Sequence, residues 1–303
     1  VQDVLWPAFR GSDPGAGDVD YRQDVDMPRM RREVGAQAAS DRPDVLFVAD
    51  PILFYRAGIV APVEGIEAGP RPGPWVDSGG RWVSTYAQPI VAIYNTVYRR
   101  PPGSWLELAD EAWRGRLVVE APERMLTTGP AFAELRETLG AGAWQGWLTG
   151  LAAGGLRQVA DNERAVLEVA TGARWAGLSN LNVARRVRPG SPVRHVFLDP
   201  TPLVPAFAVA VAGGRLPELG ARFVRWLGSA AGQEAYRRTG RLPAVAVGDA
   251  AGDSGPPVVP VVPAGIGRSA GMADWIADPD RWIKIFASIF PTETVLHAGK
   301  LRD

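Results

Sequence analysis

The chain has 303 residues with 33 basic and 33 acidic side chains, so it carries no formal net charge and lacks the electrostatic footprint of a nucleic-acid binder or a polybasic membrane patch. It contains no cysteine, which excludes disulfides, Cys-zinc sites and thiol nucleophiles. Apolar residues make up 46% with 11 Trp, enough to build packed cores, and the length suits about two domains.

VQDVLWPAFRG reads as a short amphipathic helix with Val4, Leu5 and Phe9 on one side. A Gly/Pro/Asp loop over Gly11–Gly17, a strand over Val19–Val25 and a helix over Met27–Ala39 follow. Asp44-Val-Leu-Phe-Val-Ala-Asp50 is an apolar run ending in an acid, the pattern of a buried parallel strand, and Pro51 opens a helix that Asp50 caps. This order predicts an α/β domain with a mainly parallel sheet. After the Gly/Pro-rich Pro62–Gly80, Trp82–Tyr86 and Ile90–Tyr94 read as two strands. Trp105–Ala109 is a short helix capped by Ser104, and Arg116–Glu120 a short strand. Helices are expected from Pro130, over Ala143–Leu151 and over Asn162–Ala170, with strands at Trp175–Leu178, Val193–Leu198 and Phe207–Val211. Two helices cover Leu216–Thr239 with Leu216, Leu219, Phe223 and Leu227 at core spacing, a loop spans Gly248–Gly271, and a last helix runs from Pro279 through Phe290. The chain has no internal repeat and no 18-residue apolar run of the kind a membrane-spanning helix needs. Pro89 and Pro205 mark natural crossovers, which divides the chain into one lobe of residues 1–94 plus 205–303 and a second of 95–204.

Several segments, in this order, resemble the solute-binding proteins of ABC uptake systems, in the type II periplasmic-binding fold and its ferric-iron-binding-like branch. They are PDVLFVADPILFYRAGIVAPV, YAQPIVAIYNTVYRRPPGSWLELADEAWRGRLVVEAPE and FVRWLGSAAGQEAY, and together they cover most of residues 19–243. The resemblance implies a two-lobed α/β protein that captures a small solute in the cleft between its lobes and delivers it to a membrane permease. It also implies a periplasmic or extracytoplasmic location, a monomer, and no cofactor beyond the ligand itself. Family members begin with a strand and then a helix, and VQDVLWPAF looks like that helix, so the first strand and any leader are expected upstream of Val1.

Thr127-Thr128-Gly129-Pro130-Ala131-Phe132 looks like the family turn whose backbone N–H groups hold an anion. The free N–H groups and positive dipole end of a helix start suit that task, although an ordinary N-cap with a nearby Pro accounts for the same residues. Asp161-Asn162 precedes another helix and is either a capping pair or a donor from Asn162 to the ligand. Asn180 and Asn182 follow a strand where the family places a ligand-facing Asn, and either equally caps the next helix. Asp50, at the end of a buried strand, looks like the family's first-lobe carboxylate for a metal, with the capping role as the alternative. Tyr86 stands beside the crossover, either on the ligand or in the core.

Ferric-binding members carry two tyrosines after the Asn at the position of Asn180, where this chain has Leu181-Asn182. The remaining tyrosines, Tyr21, Tyr55, Tyr86, Tyr94, Tyr98 and Tyr236, are dispersed along the chain. Iron held by paired phenolates is therefore not expected, and Asp50 is the metal ligand only if Fe(III) is bound. One acid opposite an anion-holding lobe suits a small phosphonate, phosphate ester or carboxylate, or a ferric complex of one. The enzymatic alternative is a transferase on the same fold, and the other is a sensor domain. No HExxH or GxxxxGK motif occurs, and the two histidines, His195 and His297, have no acid or nucleophile at a catalytic spacing. Gly140-Ala-Gly142 and Gly265-Ile-Gly267 are loop fragments, and Trp144, Trp147, Trp275 and Trp282 are core anchors.

Overall fold

A computed structural model describes residues 2–22, 27–66, 77, 79–98, 100–124, 127–244 and 270–291. The first segments are α1 (Gln2–Ser12), α2 (Met27–Ala36), β1 (Val45–Val48), α3 (Pro51–Arg56), β2 (Val60–Ala61) and β3 (Val83–Asn95). The middle holds β4 (Leu117–Glu120), α4 (Thr128–Leu139), α5 (Ala141–Ala153), β5 (Arg157–Val159), α6 (Asn162–Ala170), β6 (Ala176–Asn180), α7 (Leu181–Ala184) and β7 (Val193–Val196). The chain continues through β8 (Leu203–Val211), α8 (Pro217–Gly228), α9 (Ala230–Arg238), β9 (Leu242–Pro243), α10 (Ala270–Ala277) and α11 (Pro279–Ile289). The described residues form two compact units. One takes those up to Pro89 and those from Leu203 to Pro279, and the other takes Ile90–Pro202 with those from Asp280 onward.

In unit 1, β8 lies between β1 and the first half of β3, and every described pairing is antiparallel. This corrects the expected parallel sheet. β8 pairs Phe207 with Val48 and Ala210 with Val45, so the strand returning from unit 2 meets β1 head to tail. A four-residue apolar run buries the same groups in either direction, so its composition does not encode strand polarity. The core below the sheet is built from Leu5 and Phe9 of α1, Phe223, Val224 and Leu227 of α8, and Tyr236 of α9. Leu216 is 48% exposed because it precedes α8 instead of lying on its inner face.

In unit 2, β6 lies between the second half of β3, antiparallel, and β4, parallel, and β5 continues parallel beyond β4. The close approach of β4 and β6 requires Gly177, since a Cβ there would collide with the Val118 carbonyl. The carboxyl ends of β4, β5 and β6 therefore share one edge, where open α/β sheets present their ligand-binding residues. Phe132 of α4 and Trp147 of α5 meet edge to face at 5.0 Å, and Trp144 meets Trp282 of α11 at 5.7 Å. These contacts place α11 with unit 2 and not with the chain ends, as the sequence had suggested.

The two strands expected at Trp82–Tyr86 and Ile90–Tyr94 are one 13-residue strand, β3, with a bulge between Ser84 and Tyr86. Pro89 pairs with Leu203 inside it, at the boundary between the units. Residues 19–22 are not a strand, and 23–26 lie outside the described residues. Also outside them are most of Pro62–Gly80 and of Gly248–Gly271, including Gly265-Ile-Gly267, and His297. Among the described residues no helix is long and apolar enough to cross a membrane.

Candidate functional site

The end of β4 is a chemical anomaly. Leu117, Val118 and Val119 are buried as a central strand should be, and the next residue, Glu120, is a fully buried acid. Its carboxylate accepts hydrogen bonds from the Thr127 hydroxyl at 2.7 Å, from Asn162 Nδ2 at 2.7 Å, and from the Thr127 backbone N–H, 3.3 Å from both oxygens. Burial pushes its pKa up to about 7, against the pull of the Thr127 and Asn162 donors and of the Arg124 charge.

Asn162 joins three chain segments at this point. It is the first residue of α6, which Asp161 caps by accepting the Arg164 N–H at 2.7 Å. Beside its bond to Glu120, Asn162 Nδ2 donates to Thr127 Oγ1 at 2.8 Å, and its Oδ1 accepts the Asn180 N–H at 3.0 Å. Asn180 ends β6 and caps α7, its Oδ1 accepting the Val183 N–H at 3.1 Å. Thr127, Asn162 and Asn180 are thus brought together from the starts of α4 and α6 and the end of β6. The donor expected to reach outward from Asn162 is engaged inside the protein in this structure, because the buried Glu120 carboxylate takes one of its hydrogens and the Thr127 hydroxyl oxygen the other.

Thr127 occupies the N-cap position of α4 without capping it, since its hydroxyl turns to Glu120. The first helical hydrogen bond runs from the Ala131 N–H to the Thr127 carbonyl at 3.1 Å. The N–H groups of Thr128 and Gly129 precede that bond and have no intrahelical acceptor. The ordinary cap does not describe this turn. On α7, the Asn182 carbonyl oxygen accepts a bond from Arg186 Nε at 3.0 Å. Its side-chain Nδ2 is buried with no acceptor among the described residues.

Asp50 and Tyr86 lie in unit 1. Asp50 follows β1 and caps α3, with Oδ1 accepting the Ile52 and Leu53 N–H groups at 3.0 and 3.4 Å. It is 3% exposed, and burial pushes its pKa up to about 7 against the Leu53 and Ile52 amides, the Arg56 charge and the Trp275 indole. Among the described residues no group of three or more His, Cys, Asp or Glu is placed to hold a metal, at Asp50 or elsewhere. Tyr86 is half-buried, its ring 5.5 Å from that of Tyr236 and under the Arg241 guanidinium at 4.9 Å. The tyrosines are therefore not all dispersed in space, because β3 and α9 bring these two together. Burial holds the Tyr236 phenol far above its ordinary pKa.

The raised pKa of Asp50 gives a stability prediction with a definite sign. Unfolded, the carboxyl titrates near 3.8, and folded near 7, so between these values the folded state holds a proton that the unfolded state has lost. Asp50 therefore costs stability progressively as pH rises from about 4 to about 7. Asp50→Asn keeps the capping oxygen without the charge and should raise the melting temperature at pH ~8, by an amount corresponding to about 2–4 kcal/mol. Near pH 4 the substitution should bring no gain, and thermal melts at the two pH values check this.

Glu120 and Arg241 were missed in the sequence reading. An acid closing an apolar run was the signal that singled out Asp50, and Leu117-Val-Val-Glu120 carries the same signal.

Known proteins of similar structure cover nearly the whole chain. A Trichodesmium protein, IdiA or FutA, in complex with iron and citrate ligands matches with a TM-score of 0.69 at 18% identity, over 95% of each chain. Iron-bound HitA from Pseudomonas aeruginosa matches at 0.65 and 20% identity, over 93% of this chain and 95% of that one. The substrate-binding protein of an ABC transporter from Agrobacterium tumefaciens matches at 0.70 and 16% identity, over 96% and 91%. These likenesses show the fold, that of the type II periplasmic-binding proteins. No curated sequence is significantly similar. The family model for bacterial extracellular solute-binding proteins matches residues 32–242. That span contains β1 to β8 and every residue of the Glu120 cluster, and the chain belongs to the bacterial extracellular solute-binding proteins.

Proposed function

We propose that this protein is the solute-binding component of an ABC uptake transporter and that its solute is a small anion or zwitterion. The anionic group is held at the start of α4 by the Thr128 and Gly129 N–H groups, with Asn182 Nδ2 as a further donor. The observation that carries the reading is the uncapped start of α4, next to Thr127, Asn162 and Asn180 fixed in one buried network. A helix start whose first amides have no intrahelical acceptor, beside a buried hydrogen-bonded network, favours a phosphonate, phosphate ester or carboxylate. A ferric complex of such an anion belongs to the same class, since one similar structure is described with iron and citrate together. The protein acts outside the cytoplasm as a monomer, hands its solute to a membrane permease, and carries out no turnover. Closure on the solute, favoured by its higher affinity for the closed form, is the signal the permease reads.

A thermal-shift screen of phosphonates, phosphate esters, inorganic oxyanions and Fe(III)-citrate tests this. At least one oxyanion should raise the melting temperature, and Asn182→Leu, which removes the side-chain donor that has no acceptor among the described residues, should weaken that shift while leaving the unliganded melt close to wild type. Stabilisation by Fe(III) without an accompanying anion, lost in Asp50→Asn, would restore a metal site at Asp50 and remove the anion reading.

A further inference from the structure

The Glu120 carboxylate engages Thr127 and Asn162, two of the polar residues that line the start of α4. Its contacts are short and it is fully buried, so it is an internal anion standing where α4 begins. Resting on the reading of α4 as the anion-holding element, we propose that Glu120 is a positioning residue that holds Thr127 and Asn162 in register while the site is empty and takes up one proton from solvent as the solute's anion arrives.

The argument is one of charge and donor count. A buried carboxylate and an incoming anion at the same helix start repel each other with little water to screen them. Protonating Glu120 removes that repulsion, with one positive charge taken up for the anion bound. The neutral carboxyl also needs fewer donors, so the Thr127 hydroxyl hydrogen and one Asn162 Nδ2 hydrogen are released for the ligand. The Thr127 and Asn162 donors and the Arg124 charge oppose this change, and burial outweighs them. The partners facing it from α4 and α6, and Asn180 behind them from β6, are uncharged, and Arg124 in the turn after β4 is the charged group that acts on it. Burial has already moved the carboxyl into the neutral range, so a modest further push completes the protonation.

Sulfate is the probe, because its charge is constant across the pH range of interest. Calorimetric titration of the wild-type protein near pH 8, in two buffers of different ionisation heat, should show about one proton taken up per sulfate bound. The affinity should weaken by about tenfold per pH unit above pH ~7. Glu120→Gln, which cannot take up the proton, should bind sulfate with an affinity independent of pH. Sulfate bound by the wild type with a flat pH profile and no proton uptake overturns this inference and leaves the anion site standing. Sulfate bound by neither protein at any pH removes the anion reading and this inference with it. The proton count needs only the wild type, so a failure of Glu120→Gln to fold does not decide the matter.

Discussion

Replacing Asn162 with Leu should cost about 3–5 kcal/mol of stability and abolish solute binding together with it. The side chain makes three hydrogen bonds, to Glu120, to Thr127 and from the Asn180 N–H. Leucine fills much of the same volume and removes all three. The Glu120 carboxylate then loses one of its short donors in a fully buried place, and the Asn180 N–H is left without an acceptor. An unsatisfied buried polar group costs about 1–3 kcal/mol, more when charged, and the losses fall in one network where they reinforce one another. The melting temperature should fall by about 10 °C, given ~2–4 °C per kcal/mol for a protein of this size. Part of that loss should be recovered at pH ~5, where a protonated Glu120 no longer needs the missing donor. A destabilisation no larger than that of a surface substitution would mean that the network is not formed in solution.

The second large effect is expected at Phe132. Its ring is fully buried on the inner face of α4, edge to face with Trp147 at 5.0 Å and with Phe286 at 6.1 Å, and 6.4 Å from Phe290. Its carbonyl also accepts the Trp144 Nε1 hydrogen bond at 2.7 Å. Phe132→Ala should cost about 3–5 kcal/mol, through lost burial and a cavity that rigid indole neighbours close poorly. The same helix carries Thr128 and Gly129 at its start, so its loosening should weaken oxyanion binding as well as lowering the denaturation midpoint. Because α11 supplies Phe286 and Phe290 directly follows it, hydrogen exchange should show α11 amides losing protection along with those of α4.

What the sequence revealed, and what it hid, follows from how far each signal reaches. Cap residues, glycines and prolines act over a few positions, so Asp50, Asp161 and Asn180 were recognisable as helix-start residues, and each caps a helix. The same locality explains why the capping alternative for Thr127 does not hold. Its hydroxyl leaves the helix it should cap because an acid seven residues earlier draws it away, and no short pattern reports that competition. The family resemblance placed Asn162 and Asn180 near each other, but a position in the chain does not say which way an amide points. The polarity of β1 was hidden for a similar reason, since hydrophobic runs record burial and not direction. The pairing of Tyr86 with Tyr236 depends on α9 returning to β3, which is a property of the whole of unit 1. Two acids closing apolar strands, Asp50 and Glu120, are equally visible in the sequence, and the family resemblance marks only Asp50.

The claim on which the account depends is that unit 2 holds the solute's anion at the amides beginning α4. The most direct measurement is an amide-resolved NMR titration with whichever oxyanion gives the largest thermal shift. The account predicts saturable movement of the Thr128 and Gly129 backbone resonances and of the Asn182 side-chain NH2, with one shared dissociation constant. Saturation that leaves those resonances still, while groups around Asp50 or Tyr86 respond, would contradict it.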